Sequence, residues 1–312
     1  MPTPTPAPAP LPLPDAAVPG PGPVIPGFEY LRVPVADGVA LHTAVAGTGS
    51  PIVLLHGLPQ THLMWRHVAA ELAADHTVIC PDLRGYGASD KPADPDGTAY
   101  SKRIMAADIV ALARALGHDR FALAGHDRGA LVAIRAGLDH PDAVTHLASL
   151  DVLPTLDMWE VMHGVTAAVG FHLYLMAQPP GLPETMIEAS ADAFFGHFLD
   201  VWARDPQAIP DDVRAAYLAA SRAAVPSIVA DCRASAGPDL EHDRADRAAG
   251  RQLRMPVTVL QQDWGAALGF DAAARWRAWA PDLHHSTVPY GHFMAEEAPT
   301  EVTTALRTLL TR

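Results

Sequence analysis

From residue 28 onward, short apolar runs of strand length alternate with longer stretches whose apolar residues recur at helical spacing. The runs that predict strands are EYLRVPV, ALHTAVA, PIVLLHG, HTVICPD, RFALAGH and VTHLASLDV. The stretches between them that predict helices are MWRHVAAELAA, AADIVALARALG and DRGALVAIRAGLDH. Strands that alternate with helices indicate an α/β fold with a mostly parallel central sheet flanked by helices.

This alternation stops at about residue 154 and resumes near residue 252. The segment between is rich in Met, Phe and Trp at helical spacing and is interrupted by prolines. The strand and helix patterns then return with MPVTVLQQ, DAAARWRAWA, HHSTVPYG and PTEVTTALRTLL. We therefore predict an α/β core formed by residues 27–153 and 252–312, with a helical cap inserted at residues 154–251.

Residues 1–26 differ from the rest of the chain because proline alternates there with small residues. Proline lacks a backbone N–H and fixes φ, so we predict a disordered, unpacked tail. The tail lacks the basic start and continuous apolar stretch of a signal peptide. With two cysteines only, Cys80 and Cys232, no disulfide framework is expected, and the cytoplasm is the expected compartment.

The sequence from Gly125 to Gly129 places an acidic side chain in a turn between a predicted strand and a predicted helix. A Gly-x-nucleophile-x-Gly sequence in this context is typical of a nucleophile elbow. Its glycines permit a tight turn, and the central side chain stands exposed above the sheet. The central residue here is Asp127 rather than a serine.

Three further features occur in the order typical of an α/β-hydrolase fold. The HGLP sequence at His56–Pro59 follows the third predicted strand, where backbone N–H groups form part of an oxyanion hole. Asp151 ends the strand after the elbow helix, and His292 follows the last predicted strand. Asp263, after the next core strand, is a rival for the acid, although it could simply cap the following helix.

An aspartate nucleophile indicates displacement at a saturated carbon, such as a carbon–halogen bond or an epoxide. Serine would leave a stable ether there, whereas aspartate leaves an ester that water can hydrolyse. We predict that His292 activates this water and that Asp151 orients His292. The backbone N–H groups of Leu58 and Arg128 would hold the oxyanion.

With these residues identified, the chain resembles the fluoroacetate (haloacetate) dehalogenases, which are relatives of the epoxide hydrolases. The resemblance extends from about residue 28 to the C-terminus. The motifs that carry it are LLHGLPQTHLMW, DLRGYGASDKP, GHDRGA, LDVLPT, AQPPGLPE, EHDRAD and GHFMAEEAP. It implies the fold and chemistry above, no cofactor or metal, and a possible homodimer.

The substrate pocket departs from the pattern of that family. The family clamps a carboxylate with two arginines; Arg128 matches the first, but Leu131 stands at the second. Among the halide donors, His172 matches the histidine, whereas Leu173 replaces a tryptophan and Cys232 a tyrosine. Because Leu131 and Leu173 make the pocket more apolar than the family pattern, we expect a substrate less anionic and bulkier than fluoroacetate.

Two alternatives stay open at this point. An epoxide hydrolase would need an atypical acid, because Phe171 and Cys232 stand at its two cap tyrosine positions. Tyr174 or His172 could take that role, and both are counted here among the candidate substrate-binding residues. A ligand-binding descendant of the fold is the other alternative, although it has no need of Asp127, Asp151 and His292 together.

The overall charge of −13 argues against a nucleic-acid partner, since phosphate binding needs clustered Lys and Arg. No apolar run is long enough to predict a membrane span. The expected partner is a small-molecule substrate.

Overall fold

The computed structural model describes residues 13–17, 22–94 and 96–312. In these ranges nine strands form one sheet: β1 (Asp15–Ala16), β2 (Glu29–Ala36), β3 (Val39–Ala46), β4 (Ser50–Leu55), β5 (His76–Pro81), β6 (Phe121–His126), β7 (Val144–Leu150), β8 (Val257–Gln261) and β9 (Leu283–Thr287). Their order across the sheet is β1-β2-β3-β5-β4-β6-β7-β8-β9. The pairs from β1 to β5 along one edge are antiparallel. All pairs from β5 to β9 are parallel, so the mostly parallel sheet predicted from the sequence is confirmed.

The α-helices of the described chain are α1 (Arg66–Leu72), α2 (Lys102–Ala115), α3 (Arg128–Asp139), α4 (Thr155–Val161), α5 (Phe171–Met176), α6 (Leu182–Glu188), α7 (Ala191–Val201), α8 (Asp211–Arg222), α9 (Val225–Ala236), α10 (Pro238–Ala248), α11 (Trp264–Leu268), α12 (Ala272–Arg277), α13 (Met294–Glu297) and α14 (Pro299–Leu310). Helices α4 to α10 lie between β7 and β8, where the fully described residues 151–256 contain no strand. We call residues 154–251 the helical segment.

The sheet is buried on both faces because successive residues of a strand point to opposite sides. Along β4, Ile52 and Leu54 join an apolar cluster that contains α1 and α14. Val53 and Leu55 join the other cluster, which contains α2 and α3. This two-sided burial explains why the central strands are apolar without alternation.

Buried ion pairs attach the last two helices of the helical segment to the core. Lys102 of α2 forms an ion pair with Asp231 of α9. Arg135 of α3 lies 2.6 Å from Asp243 and 2.5 Å from Asp246, both on α10. Such charges are costly to separate, because each would be left unpaired in a poorly solvated place.

The N-terminal region corrects the prediction of an unpacked tail over residues 1–26. Residues 1–12 and 18–21 lie outside the described residues. The described parts pack on the fold: β1 pairs with β2, and Ile25 is only 1% exposed. The Ile25 N–H also donates to the Tyr30 hydroxyl over 2.8 Å. The proline content of this region does not reveal that β1 pairs with the edge of the sheet or that Ile25 is deeply buried.

No helix in the described part of the chain is both long and apolar enough to cross a membrane.

Candidate active site

The carboxyl ends of five neighbouring parallel strands bring the candidate residues to one edge of the sheet. Leu58 follows β4, Asp127 follows β6, Asp151 follows β7, Gln262 follows β8 and His292 follows β9. Ligands of open α/β sheets bind at this edge. The fold therefore gathers residues that are far apart in sequence.

The turn at Asp127 has the geometry of a nucleophile elbow. Asp127 has φ 49° and ψ −120°, a conformation that is strained for a residue with a side chain. A Cβ on Gly125 would lie 2.4 Å from the Gly129 carbonyl oxygen. A Cβ on Gly129 would lie 2.4 Å from the His56 carbonyl oxygen. Both glycines are thus required for the close approach of α3 to the sheet.

The two carboxylate oxygens of Asp127 have different surroundings. The Leu58 N–H donates to Oδ1 over 2.7 Å, and Oδ2 lies 3.8 Å from Nε2 of His292. Arg128 is the first residue of α3, so its N–H has no partner within the helix. Burial raises the pKa of Asp127, but the charges of His292, His126 and Arg128 and the Leu58 hydrogen bond bring it below its usual value.

His292 is held in place by a carboxylate, by the ring of Trp202 and by a hydrogen bond to its backbone. Its Nδ1 donates to Oδ2 of Asp151 over 2.7 Å, and its ring lies edge-on to Trp202. The neighbouring His126 donates from Nε2 to the His292 carbonyl oxygen over 2.8 Å. Burial lowers the pKa of His292, but the hydrogen bond and charge of Asp151 raise it overall.

The structure places Asp151, and not its rival Asp263, against His292. Asp151 also accepts hydrogen bonds from the backbone N–H of Gln262 over 2.8 Å and from its side-chain amide over 2.7 Å. Asp263 instead caps α11 by accepting from the N–H of Ala266 over 3.0 Å. The helix cap considered for Asp263 on sequence grounds is therefore present.

A cavity of about 280 Å³ opens above Asp127 between the core and the helical segment. Its wall is mostly apolar and includes three tryptophans, Trp159, Trp202 and Trp264. The predicted site residues that line it are Asp127, Arg128, Leu131, Asp151, His172, Leu173 and His292. Burial lowers the pKa of His172 to about 3, so its imidazole is neutral.

The guanidinium of Arg128 is already bonded to a carboxylate of the helical segment. It donates from Nε to Oδ2 of Asp231 over 2.9 Å and from Nη2 to Oδ1 over 3.1 Å. Nη2 also donates to the hydroxyl of Ser235 over 2.7 Å. The guanidinium of Arg128 is therefore neutralised by Asp231, a residue too far away in sequence for the pairing to be predicted.

Two predicted substrate-binding residues, Tyr174 and Cys232, are not among the residues that line this cavity. The Tyr174 hydroxyl donates to the Met162 carbonyl oxygen, and its ring lies edge-on to Trp159. Cys232 is fully buried in the apolar core beside Asp231. Both residues lie on helices that line the cavity, but successive residues of a helix point in different directions, and these two point away from it.

Sequence reasoning did not identify Trp202, Gln262 or Asp231. Gln262 offered a positional signal, because it directly follows a core strand at the carboxyl edge of the sheet. Trp202 and Asp231 offered none, since Trp202 directly follows α7 and Asp231 lies in α9, and the sequence pattern does not resolve which way these helices face. Their contacts arise only in the folded chain.

The chain is similar in sequence and in fold to known proteins. The chain matches the family described as alpha/beta hydrolase fold over residues 50–299. It is 38% identical to a fluoroacetate dehalogenase from Burkholderia sp. over 91% of this chain and 94% of that protein. It is 33% identical to a soluble epoxide hydrolase from Corynebacterium sp. (strain C12) over 84% of this chain and 91% of that protein. The crystal structure of Cfl2 from Burkholderia cenocepacia is similar with a TM-score of 0.82 at 30% identity, covering 92% of this chain and 97% of that chain.

The family match spans more than half of the chain, and both relatives named for an activity are hydrolytic enzymes. The resemblance predicted from the motifs is thereby confirmed, and an enzyme is favoured over a ligand-binding descendant. The chain belongs to the alpha/beta hydrolase family and is a hydrolase related to fluoroacetate dehalogenase and the epoxide hydrolases.

Proposed function

We propose that the protein hydrolyses a carbon–halogen bond at a saturated carbon through a covalent ester on Asp127. One observation carries this proposal: a carboxylate in an elbow has one oxygen on an oxyanion donor and the other facing a histidine base. The overall reaction converts an organohalide and water into an alcohol, a halide ion and a proton.

In the first step, Oδ2 of Asp127 attacks the carbon and the halide departs with the electron pair of the broken bond. Oδ1 is the less available oxygen, because the Leu58 N–H already donates to it. The lowered pKa of Asp127 keeps the nucleophile ionised near neutral pH.

In the second step, Nε2 of His292 takes a proton from water, and the water oxygen attacks the ester carbonyl carbon of Asp127. The negative charge that develops on Oδ1 is held by the N–H groups of Leu58 and Arg128. Asp151 stabilises the imidazolium that forms on His292. Breaking the bond between this carbon and the alkoxy oxygen then releases the alcohol, which receives the proton from His292. Asp127 is left as a carboxylic acid, and loss of its proton to solvent regenerates the carboxylate.

The cavity wall favours a halide over an epoxide oxygen as the leaving group. An opening epoxide must be protonated, yet no tyrosine lines the cavity within the described residues. His172 is neutral at working pH, because burial lowers its pKa to about 3. Indole N–H groups such as those of Trp202 and Trp264 can donate a hydrogen bond to a halide but cannot give up a proton.

The state of Arg128 favours a neutral substrate. Its guanidinium is paired with Asp231, and Leu131 supplies no second cation. A carboxylate in this cavity would lie near the negative charges of Asp127 and Asp151. Neither Arg128, which is paired, nor Leu131, which is apolar, would offer it an unpaired cation. We therefore propose a neutral organohalide rather than a haloacetate.

Trapping the ester on His292→Ala protein tests the chemistry, because attack should proceed while hydrolysis stalls. The protein is incubated separately with bromoacetamide, bromoacetate, fluoroacetate and styrene oxide, and the peptide that contains Asp127 is weighed. The double variant Asp127→Asn/His292→Ala is the control for alkylation elsewhere. A halide should add its alkyl group, whereas an epoxide should add its whole mass.

We expect an adduct on Asp127 from bromoacetamide that forms faster than the one from bromoacetate. Faster reaction with bromoacetate would retain the dehalogenation chemistry and overturn the neutral substrate. An adduct from styrene oxide alone would indicate an epoxide hydrolase. Folded protein that gives no adduct with any of the four compounds would overturn the proposed function.

A further inference from the structure

A second cluster of chemically capable side chains lies away from the cavity, on the antiparallel side of the sheet. His42 belongs to β3, Asp82 directly follows β5, and His62 begins a short 3₁₀ helix after β4. β3 and β5 are neighbours, and the Asp82 N–H donates to the His42 carbonyl oxygen over 2.8 Å. One nitrogen of each imidazole and one carboxylate oxygen all lie within 4.8 Å of one another.

The three side chains are buried, and their hydrogen bonding is incomplete. His42, His62 and Asp82 are 4%, 7% and 2% exposed. Nε2 of His42 and Nε2 of His62 are both buried with no hydrogen-bond partner among the described residues. A buried polar atom without a partner is unfavourable, so the unpartnered Nε2 of His42 beside a carboxylate indicates a missing ligand.

We propose that His42, His62 and Asp82 form a binding site for one divalent transition-metal ion, for which Zn²⁺ is the probe. Two imidazoles and one carboxylate suit Zn²⁺ or Co²⁺, with a water at the fourth position. Ca²⁺ and Mg²⁺ prefer sites made of several oxygen ligands, which this cluster lacks.

The closest pair in the cluster already has the spacing of two ligands on one ion. Nδ1 of His62 lies 2.8 Å from Oδ1 of Asp82. With metal bonds of roughly 2.0–2.2 Å, neighbouring ligand atoms lie about 3 Å apart. In the metal-free protein the Nδ1 proton occupies this gap, and the ion would replace it. His42 supplies the third ligand from within 4.8 Å of the other two.

Two cations lie near this position, and both already have partners. Lys91, close to Asp82, donates to two backbone carbonyl oxygens. Arg32, on the neighbouring strand, is paired with Asp90 over 2.6 Å. Asp82 is held by further hydrogen bonds, because its Oδ1 accepts from the His62 N–H and its Oδ2 from the Ala88 N–H. A fixed carboxylate loses little freedom when it binds an ion.

A bound ion would connect β3, the end of β5 and the short 3₁₀ helix that begins at His62. None of its three ligands is among the residues that line the cavity above Asp127. We therefore expect the ion to stabilise the fold rather than to take part in hydrolysis. The proposal is independent of the proposed function.

The test is a metal titration of the full chain after treatment with a chelator and removal of the chelator. Co²⁺ is added while its visible absorption is followed, then Zn²⁺ is used to displace it, and bound metal per chain is counted by elemental analysis. His42→Ala removes one ligand, and His42→Gln keeps a polar group there if the alanine variant does not fold. His284→Ala, at an exposed histidine next to His285, is the matched control for metal on the surface.

We expect one ion per chain, a rise in Tm on adding Zn²⁺, and at least about a tenfold loss of affinity in the His42 variants. His284→Ala should bind as the unchanged protein does. Absence of binding at micromolar metal would overturn the proposal. So would one ion per chain that the folded His42 variants retain, or that His284→Ala loses.

Discussion

At the scale of single residues, the charge that the cavity accepts depends on two neighbours along α3. Arg128 is bonded to Asp231, and Leu131, one helical turn later, lines the cavity. An arginine at position 131 would bring a cation that has no carboxylate partner of its own. The preference between a neutral and an anionic organohalide should therefore change at this position.

We expect Leu131→Arg to raise kcat/KM for bromoacetate relative to bromoacetamide by about tenfold or more. One charge-assisted hydrogen bond contributes about 1.5–3 kcal/mol, and about 1.4 kcal/mol corresponds to a factor of ten. Steady-state kinetics with both substrates measure the ratio. Leu131→Gln is the matched control of similar length, and an equal rise in that variant would contradict an effect of charge.

The protonation of His292 sets the acid side of the pH profile. His292 acts as a base only when neutral, and its pKa lies above the usual 6.5. As the pH falls through that raised pKa, the imidazole becomes protonated and the rate of ester hydrolysis is lost. Asp127 remains ionised in this range because its own pKa is lowered.

We therefore expect kcat, where ester hydrolysis limits it, to decline on the acid side with an apparent pKa above 6.5. Asp151→Asn should shift this decline to lower pH and reduce kcat, because the group that raises the pKa of His292 is removed. Asp263→Asn, at the residue that caps α11, should leave the profile unchanged. A shift in the Asp263 variant instead would reverse the assignment of the acid.

At the scale of elements, the elbow depends on how closely α3 approaches β4. Gly129→Ala would place a methyl group 2.4 Å from the His56 carbonyl oxygen and 2.6 Å from that of Leu55. Because these are backbone atoms, the helix must move, and overpacking of this kind costs about 1–3 kcal/mol. We expect a lower Tm and a large loss of trapping at Asp127.

Gly196→Ala, within α7, is the matched control, since its Cβ would lie 3.1 Å from the flexible end of Arg214 and 4.0 Å from Leu218. Alanine also favours a helix over glycine by about 1 kcal/mol, so Tm should stay or rise. An equal destabilisation by the two substitutions would show that the close approach at Gly129 is unimportant.

The elements also decide which site residues could be predicted from the sequence. Asp127, Asp151 and His292 were identified because each ends or follows a strand, which local patterns reveal. The pairing of Arg128 with Asp231 spans a separation of 103 residues and depends on how α9 packs on the core. Tyr174 and Cys232 lie outside the cavity lining for a similar reason, since a sequence resemblance gives the position of a residue along a helix but not the direction that it faces.

At the scale of the whole molecule, the fold includes residues that composition alone assigns to a tail. Ile25 is 1% exposed, whereas Leu13 is 83% exposed. We expect Ile25→Ala to lower the free energy of unfolding by about 2–4 kcal/mol, as for other buried aliphatic side chains. Chemical denaturation measures this change, and Leu13→Ala should have almost none. Similar values for the two variants would mean that residues before β2 do not contribute to the core.

The ion pairs that attach α9 and α10 to the core distinguish two parts of the helical segment, one held by buried charges and one that is not. Helix α9 carries Asp231, so it cannot leave the core without separating buried charges. Helix α5 carries His172 and Leu173, has Phe171 and Tyr174 partly exposed, and forms no ion pair with the core among the described residues. Displacement of α5, a helix of six residues, would therefore widen the cavity without separating any of these buried ion pairs.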